Sequence, residues 1–543
     1  MRKNNISRGL LLSTCIATAI ASLSAQAAHV PAGTKLAPVQ EISRGNGSEV
    51  ASIDPHKVEG VPASNVIRDL LEGLVNQDGE GNIVPGVAKS WETKDNKTFI
   101  FHLRKDAKWS NGDPVTADDF VYSFERAVDP NTASPYAWYL EISNIINAAD
   151  IIAGKKDKST LGVKAIDAHT FQVKLDKPTS YFVKMMAHTT VKPVHKATVE
   201  KWGNKWTRPE HFVGNGAYVP ETWVVNERLV LKRNPKYWDD AHTVINKVTY
   251  LPIESQVSEM NRFLAGEMDF TYELPVEHFK RLKKEHPESV SVTGYLCNYY
   301  YDFNNKQKPF DDVRVRKALS YAIDRDIIAK AIMGQGEKPA YFFTPEITAG
   351  FNPTMPAYGK MTQKERNKKA KELLAEAGFS KQNPLSFSVI YNTSDNHKKV
   401  ATAIQSMWKR TLGVNVQLEN QEWKTFITKR REGDYQVARD AWCGDYNEAS
   451  TFLSLLQSNN TANNAKYNSK EYDDTMLHAM LSTSESERTK LYDDAEKLLA
   501  RDMPVAPIYQ YVKSRLVSPQ VGGYPAHNAE DKIYTKDLYI KAK

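Results

Sequence analysis

The first 27 residues set the conditions under which the rest of this chain must fold. Arg2, Lys3 and Arg8 open it with positive charge, residues 10–23 are mostly apolar and small, and Ala25-Gln26-Ala27 offers a small-x-small cleavage site. That order reads as a secretory signal peptide over 1–27, so the mature chain is expected to begin at Ala28 and to fold outside the cytoplasm. The apolar run is too short, and too interrupted by Ser13, Thr14, Thr18 and Ser22, to remain as an anchor. Cys15 follows Thr14 with only Leu10-Leu11-Leu12 ahead of it, which does not fit a lipidated cysteine. Cys297 and Cys443 are the two cysteines left. In an oxidising compartment such a pair usually closes as a disulfide, the alternative being two separate buried thiols. A bridge would close a long loop, worth about 5 kcal/mol in the chain-entropy model.

A chain of 543 residues is too long for one compact core, which implies roughly two to four lobes. Three of its 72 Lys and Arg residues lie in the leader, which has no acid, leaving 69 bases against 65 acids. The mature chain is thus close to neutral, and no basic block is interleaved with aromatics, so nucleic acid is excluded as the expected partner. Its 26 Tyr and 10 Trp suit recognition surfaces, since both offer apolar area with a polar handle.

Periodicity gives an α/β mixture. Thr98–Leu103, Thr170–Leu175, Leu229–Lys232, Val248–Leu251 and Val505–Tyr509 read as strands, and Gly214–Tyr218 as a turn entering one. Helices are expected over Ser64–Leu71 with Ser64 as cap, from Thr116 with acids in the first turn, and over Ser255–Gly266. Further helices are expected over Asp312–Ile332, Lys364–Gly378, His397–Leu412 and Ser484–Asp502. No internal repeat is present.

One stretch carries unusual chemistry. Val437-Ala438-Arg439-Asp440-Ala441-Trp442-Cys443-Gly444-Asp445 starts like a strand and presents an arginine, a tryptophan, a cysteine and an aspartate within seven positions. A cation, an anion and a large aromatic this close suit a ligand charged at both ends, as a peptide is. The plainer reading is a structural strand with a surface ion pair. Enzymatic motifs are missing: there is no H-E-x-x-H, no G-x-S-x-G and no G-x-x-x-x-G-K, and His56 and His397 lack a partner at metal spacing. No enzyme activity, cofactor or metal is expected.

Several ordered segments resemble the signature of family 5 extracellular solute-binding proteins, the periplasmic receptors of ABC peptide and nickel importers. They are Glu72-Gly73-Leu74-Val75, Pro85-Gly86-Val87-Ala88-Lys89-Ser90-Trp91-Glu92, Trp109 to Phe120, Asn234-Pro235-Lys236-Tyr237-Trp238 and Val313 to Arg325. Asp54 to Pro62, Asn131 to Tyr136, Tyr391-Asn392-Thr393-Ser394 and Gln421 to Thr425 are most similar to the oligopeptide-binding branch. The resemblance implies a three-lobed α/β fold (type II, cluster C), with two ligand-enclosing lobes joined by a hinge and one extra lobe. Lobe I would hold 28–71, 196–296 and 513–543, lobe II 72–195, and lobe III 297–512. The implied role is a soluble, monomeric periplasmic receptor that binds short extended peptides between lobes I and III and delivers them to an inner-membrane ABC oligopeptide permease.

The resemblance also implies residue roles. Asp445 would bind the peptide ammonium, and Arg439, Arg430 and His397 would be basic residues meeting the carboxylates of peptides of different length. Val61, Ala441 and Cys443 would pair through their backbones. Glu59, Tyr136, Tyr295, Tyr300, Trp423, Trp442 and Tyr511 would wall the side-chain pockets, and Cys297–Cys443 would be the disulfide. Met333 stands where that branch carries a lysine, a change expected to alter the preferred length. Residues 340–351 and Ile508 to Tyr511 are more similar to the murein-peptide-binding branch, which leaves a cell-wall tripeptide as the alternative ligand.

Overall fold

The computed structural model describes residues 28–482 and 484–543; the expected signal peptide lies outside them. Three larger sheets organise the chain. The first has the order Glu41–Gly45, Lys247–Leu251, Arg228–Arg233 and Tyr218–Val224, with the first pair parallel and the others antiparallel. The second is antiparallel, in the order Ala88–Thr93, Thr98–Leu103, Thr170–Lys174 and Val163–Asp167. The third is mixed: Lys338–Pro339, Val505–Leu516, Val290–Phe303, Val437–Cys443, Ser386–Asn392 and Asn415–Gln421. Among the described residues no helix is long and apolar enough to cross a membrane.

Each sheet buries an alternating apolar face under helices. In the second, Phe99, Phe101, Phe171 and Val173 point inward, and the helix Ala117–Val128 sets Phe120 and Phe124 against Phe171, 5.7 and 5.4 Å between ring centroids. That helix starts where the sequence places it: the Asp119 carboxylate accepts from the Thr116 backbone N–H at 2.8 Å. On the third sheet the helix Asp395–Leu412 buries Val400, Ile404 and Trp408, the last packed on Phe387 at 5.4 Å with its Nε1 donating to Leu319 O.

Two helices depart from expectation. The helix expected from Ser64 begins at Val61, because Gly60 takes φ +94°, a conformation that favours glycine, and Pro62 fits a first turn that needs no N–H donor. The long helix expected over Asp312–Ile332 is broken into Val313–Tyr321 and a π-helical segment Ile327–Met333. Arg325 sits in the break, fully buried, and donates to the carbonyls of Ser320, Ile323, Ala340 and Pro507. Its guanidinium collects carbonyls from three segments, which a residue on an uninterrupted helix could not do.

Val290–Phe303 and Val505–Leu516 pair antiparallel from Val290↔Leu516 to Asp302↔Val505, with register shifts between Gly294 and Asn298 and between Tyr299 and Tyr300. One end packs with Met260, Leu274, Phe279 and Leu282; the other enters the core of the third sheet. The lobe borders expected at 296/297 and 512/513 thus fall inside these two strands.

The loop ahead of the first helix is tied to the helix Ala117–Val128. Arg126 donates to both carboxylate oxygens of Asp54, at 2.9 and 2.6 Å, and its Nη1 lies 2.7 Å from His56 Nδ1. Burial, and then the Arg126 charge, lower the His56 pKa to about 3. Below pH 6.5 the unfolded chain takes up a proton that the folded chain refuses, so this contribution to stability is lost as pH falls from about 6.5 towards 3. Comparing denaturant unfolding of the wild type with His56→Gln, the stability difference should shrink by about 1.4 kcal/mol per pH unit below about 6.5. A difference that does not change with pH refutes a neutral His56.

Candidate ligand-binding site

A cavity of about 470 Å³ lies between the first helix and its preceding loop, residues 133–138, and the edge of the third sheet. The strand Val437–Cys443 forms one wall, held to Val290–Phe303 in the register Tyr301↔Arg439, Tyr299↔Ala441 and Cys297↔Cys443. Cys297 and Cys443 are joined in a disulfide. Just beyond it the chain turns through Gly444, where a Cβ would lie 2.5 Å from the Leu296 side chain, and Gly444 N donates to Leu296 O at 2.8 Å. Any larger residue there would force the buried Leu296 side chain to shift, and the close approach at Gly444 delivers Asp445 to the cavity.

Asp445 is 7% exposed. Its Oδ1 is 3.2 Å from His188 Nε2 and accepts from Tyr136 OH at 3.5 Å, whereas Oδ2 has no partner. Lys532 Nζ holds its backbone carbonyl at 3.0 Å. Arg439 is 6% exposed. It donates to Asn392 Oδ1 at 3.1 Å and Tyr511 OH at 2.6 Å, with its Cζ 4.9 Å from the Tyr299 ring centroid. Nε is unpartnered, and no carboxylate of the described residues pairs with it. Two opposite charges are therefore buried in one cavity, each short of a counter-ion, a costly state that a ligand charged at both ends relieves.

The aromatic walls are close to those expected. Tyr136 stacks on Trp442 at 6.2 Å and 15° and on His188 at 5.1 Å and 21°. Trp423 faces Gly60, whose Cβ would stand 2.8 Å from the indole. Tyr295 meets Tyr511 edge-on at 6.3 Å. Glu59, Val61, Ala441 and Cys443 also line the cavity.

Five expectations need correction. Tyr300 does not line the cavity: strand alternation turns it to the opposite face from Tyr299 and Tyr301, edge-on to Phe343 at 4.9 Å. Arg430 is already answered by the protein, through ion pairs with Asp440 and, at 3.9 Å, Glu59. Glu59 is more than a pocket wall, since it also pairs with Arg431 at 3.2 Å. His397 is not a cation: burial, and then the Arg439 charge, hold its pKa well below 6.5, and Nδ1 has no partner. Met333 is packed in the core of the third sheet and does not line the cavity. In addition, the Ala441 N–H donates to Asp440 Oδ1 at 2.7 Å, so it is engaged within the strand.

Sequence reasoning missed Arg68, His188, Asp440 and Lys532. Asp440 was readable as the alternate of Arg439 on the strand; the other three come from distant segments and carry no local signal. No group of three or more His, Cys, Asp or Glu among the described residues is arranged to hold a metal ion.

The model of the family described as bacterial extracellular solute-binding proteins, family 5 Middle, matches residues 82–464. The chain is 54% identical over 539 residues, 99% of each chain, to the periplasmic oligopeptide-binding protein OppA of Salmonella typhimurium. The crystal structure of Haemophilus influenzae OppA in complex with RPPGFSPFR matches with a TM-score of 0.92 at 49% identity, covering 94% of this chain and 100% of that one. The murein tripeptide-binding protein MppA of Escherichia coli matches with a TM-score of 0.93 at 48% identity, covering 94% and 100%. An unliganded open form of the murein tripeptide-binding protein MppA, also at 48% identity and covering 94% and 99%, matches with a TM-score of only 0.67. The lobes here are therefore not in that open arrangement. With its three-lobed α/β fold, this chain belongs to family 5 of the bacterial extracellular solute-binding proteins.

Proposed function

We infer that this protein is the periplasmic substrate-binding component of an ABC oligopeptide transporter. It binds short peptides in an extended conformation and delivers them, unaltered, to an inner-membrane permease. The observation that carries the reading is the buried pair of charges left incomplete among the described residues: Asp445, with Oδ2 unpartnered, and Arg439, with no carboxylate paired to it. An ammonium and a carboxylate satisfy both. Four strand steps of about 3.3 Å, from Arg439 to Cys443, and the turn through Gly444 separate the two positions along the chain. After the side chains reach inward, the span suits an extended peptide of about three to five residues. Backbone recognition along strand edges would make binding tolerant of side chains.

The lobes fit the same reading: 28–71 with 196–296 and 513–543, then 72–195, then 297–512, with the long pair Val290–Phe303 and Val505–Leu516 as the hinge. A ligand touching both enclosing lobes favours their closure. The protein acts as a monomer, without cofactor or metal, after export through a cleaved signal peptide.

Calorimetry with Ala-Ala-Ala and its end-blocked forms tests the reading. Acetylating the amino terminus or amidating the carboxyl terminus should each weaken binding by at least about tenfold. Equal affinity for blocked and free peptides refutes the charged-end scheme. A second reading is supported by the likeness to the murein tripeptide-binding protein: the cavity takes a cell-wall tripeptide. Native mass spectrometry of protein purified from periplasm separates the two. A ladder of mixed peptides supports the first reading, and a single mass of a murein tripeptide the second.

A further inference from the structure

Arg68, on the helix Val61–Leu70, is 8% exposed and lines the cavity, yet neither the terminal-charge scheme nor the aromatic walls use it. Its Nη2 donates to Asn65 Oδ1 at 2.5 Å, and Nε has no partner. No carboxylate of the described residues forms an ion pair with it. A guanidinium does not shed its charge, so this is a buried cation without a counter-ion.

Its surroundings locate it at the Asp445 end. Lys192 is close enough to Arg68 and to Lys532 to interact electrostatically with each, and Ser64, one turn before Arg68 on the helix, hydrogen-bonds Thr189 beside His188 at 3.2 Å. Both lysines are answered within the protein. Lys532 pairs with Glu530 at 2.5 Å and donates to Asp445 O at 3.0 Å; Lys192 donates to Leu71 O at 2.7 Å and feels the Glu72 charge. Arg68 alone of the three is left facing the cavity without an anion. The cavity thus offers two buried guanidiniums short of a carboxylate, Arg68 and Arg439, whereas an unadorned peptide has one carboxylate, at its far end from Asp445.

We propose that Arg68 receives a second ligand carboxylate, carried on the first or second residue of the bound peptide. That group is an acidic side chain. The assignment rests on the peptide-receptor reading above and adds a specificity determinant to it.

Isothermal calorimetry on the mature protein tests it with matched tripeptides: Glu-Ala-Ala against Gln-Ala-Ala, and Ala-Glu-Ala against Ala-Gln-Ala. At least one glutamate peptide should bind about tenfold more tightly than its neutral isostere. In Arg68→Gln the advantage should collapse to within about twofold, while Arg68→Lys keeps part of it. The wild-type comparison stands even if the variants fold poorly. Binding of Ala-Ala-Ala with less than about a threefold carboxylate advantage in every matched pair overturns this assignment alone. An advantage that survives in folded Arg68→Gln also overturns it. No binding by any peptide, Ala-Ala-Ala included, overturns the receptor reading and this assignment with it.

Discussion

Replacing Asp445 with alanine should weaken peptide binding by at least about tenfold and leave the fold intact. The carboxylate is buried beside His188 and Tyr136, and Oδ2 has no partner among the described residues. A peptide ammonium brought to this position loses its water and takes the carboxylate in exchange. Removing the acceptor leaves that ammonium desolvated and unpaired, a cost of about 2–5 kcal/mol for truncating one side of a buried charge pair. The loss should appear as faster dissociation, since the encounter is governed by the whole surface. Calorimetry on Asp445→Ala and the isosteric Asp445→Asn, with thermal melts of both, decides the matter. Unchanged affinity in a folded Asp445→Ala would remove Asp445 from the site.

The second large effect is on stability. Opening the Cys297–Cys443 bridge frees a loop with a sequence separation of 146 residues. In the chain-entropy model this raises the freedom of the unfolded state by about 5 kcal/mol. The thermal and denaturant midpoints of ligand-free Cys297→Ser/Cys443→Ser should therefore fall well below those of the oxidised protein, and reductant should lower the wild type towards the variant. Function should follow, because Cys443 ends the strand from which Gly444 and Asp445 enter the cavity. Looser packing there should weaken binding even at temperatures where the variant stays folded. Identical midpoints with and without the bridge would refute the stability argument.

Much of the fold was readable because the signals are local. Thr98–Leu103 and Thr170–Lys174 alternate along the strand, and Thr116, Ser255 and Ser484 each stand at the cap before a helix. The failures have a common cause. The helix expected through Arg325 breaks because that side chain bonds to carbonyls from three segments, two of them, at Ala340 and Pro507, far along the chain. Periodicity is blind to such partners. The same holds for Tyr300, whose residue type suits a pocket wall but whose facing depends on which side of the strand the cavity occupies.

In the site, residue types and their spacing along one strand were legible from the chain alone. Arg439, Trp442 and Cys443 lie on one strand and Asp445 just past its end, so the chain itself keeps them close together. Their electrical state, by contrast, is set by the packing of segments distant in the chain. Arg430 and Arg439 are both buried arginines close together in the chain, yet one is neutralised by Asp440 and Glu59 and the other is not. His397 is uncharged because it is buried beside Arg439, and Arg68 is left without an anion although acids lie close by in the chain. The physical reason is that a charge acts in a cavity through its burial and its nearest counter-ion. Both are set by segments that meet only once the lobes have packed.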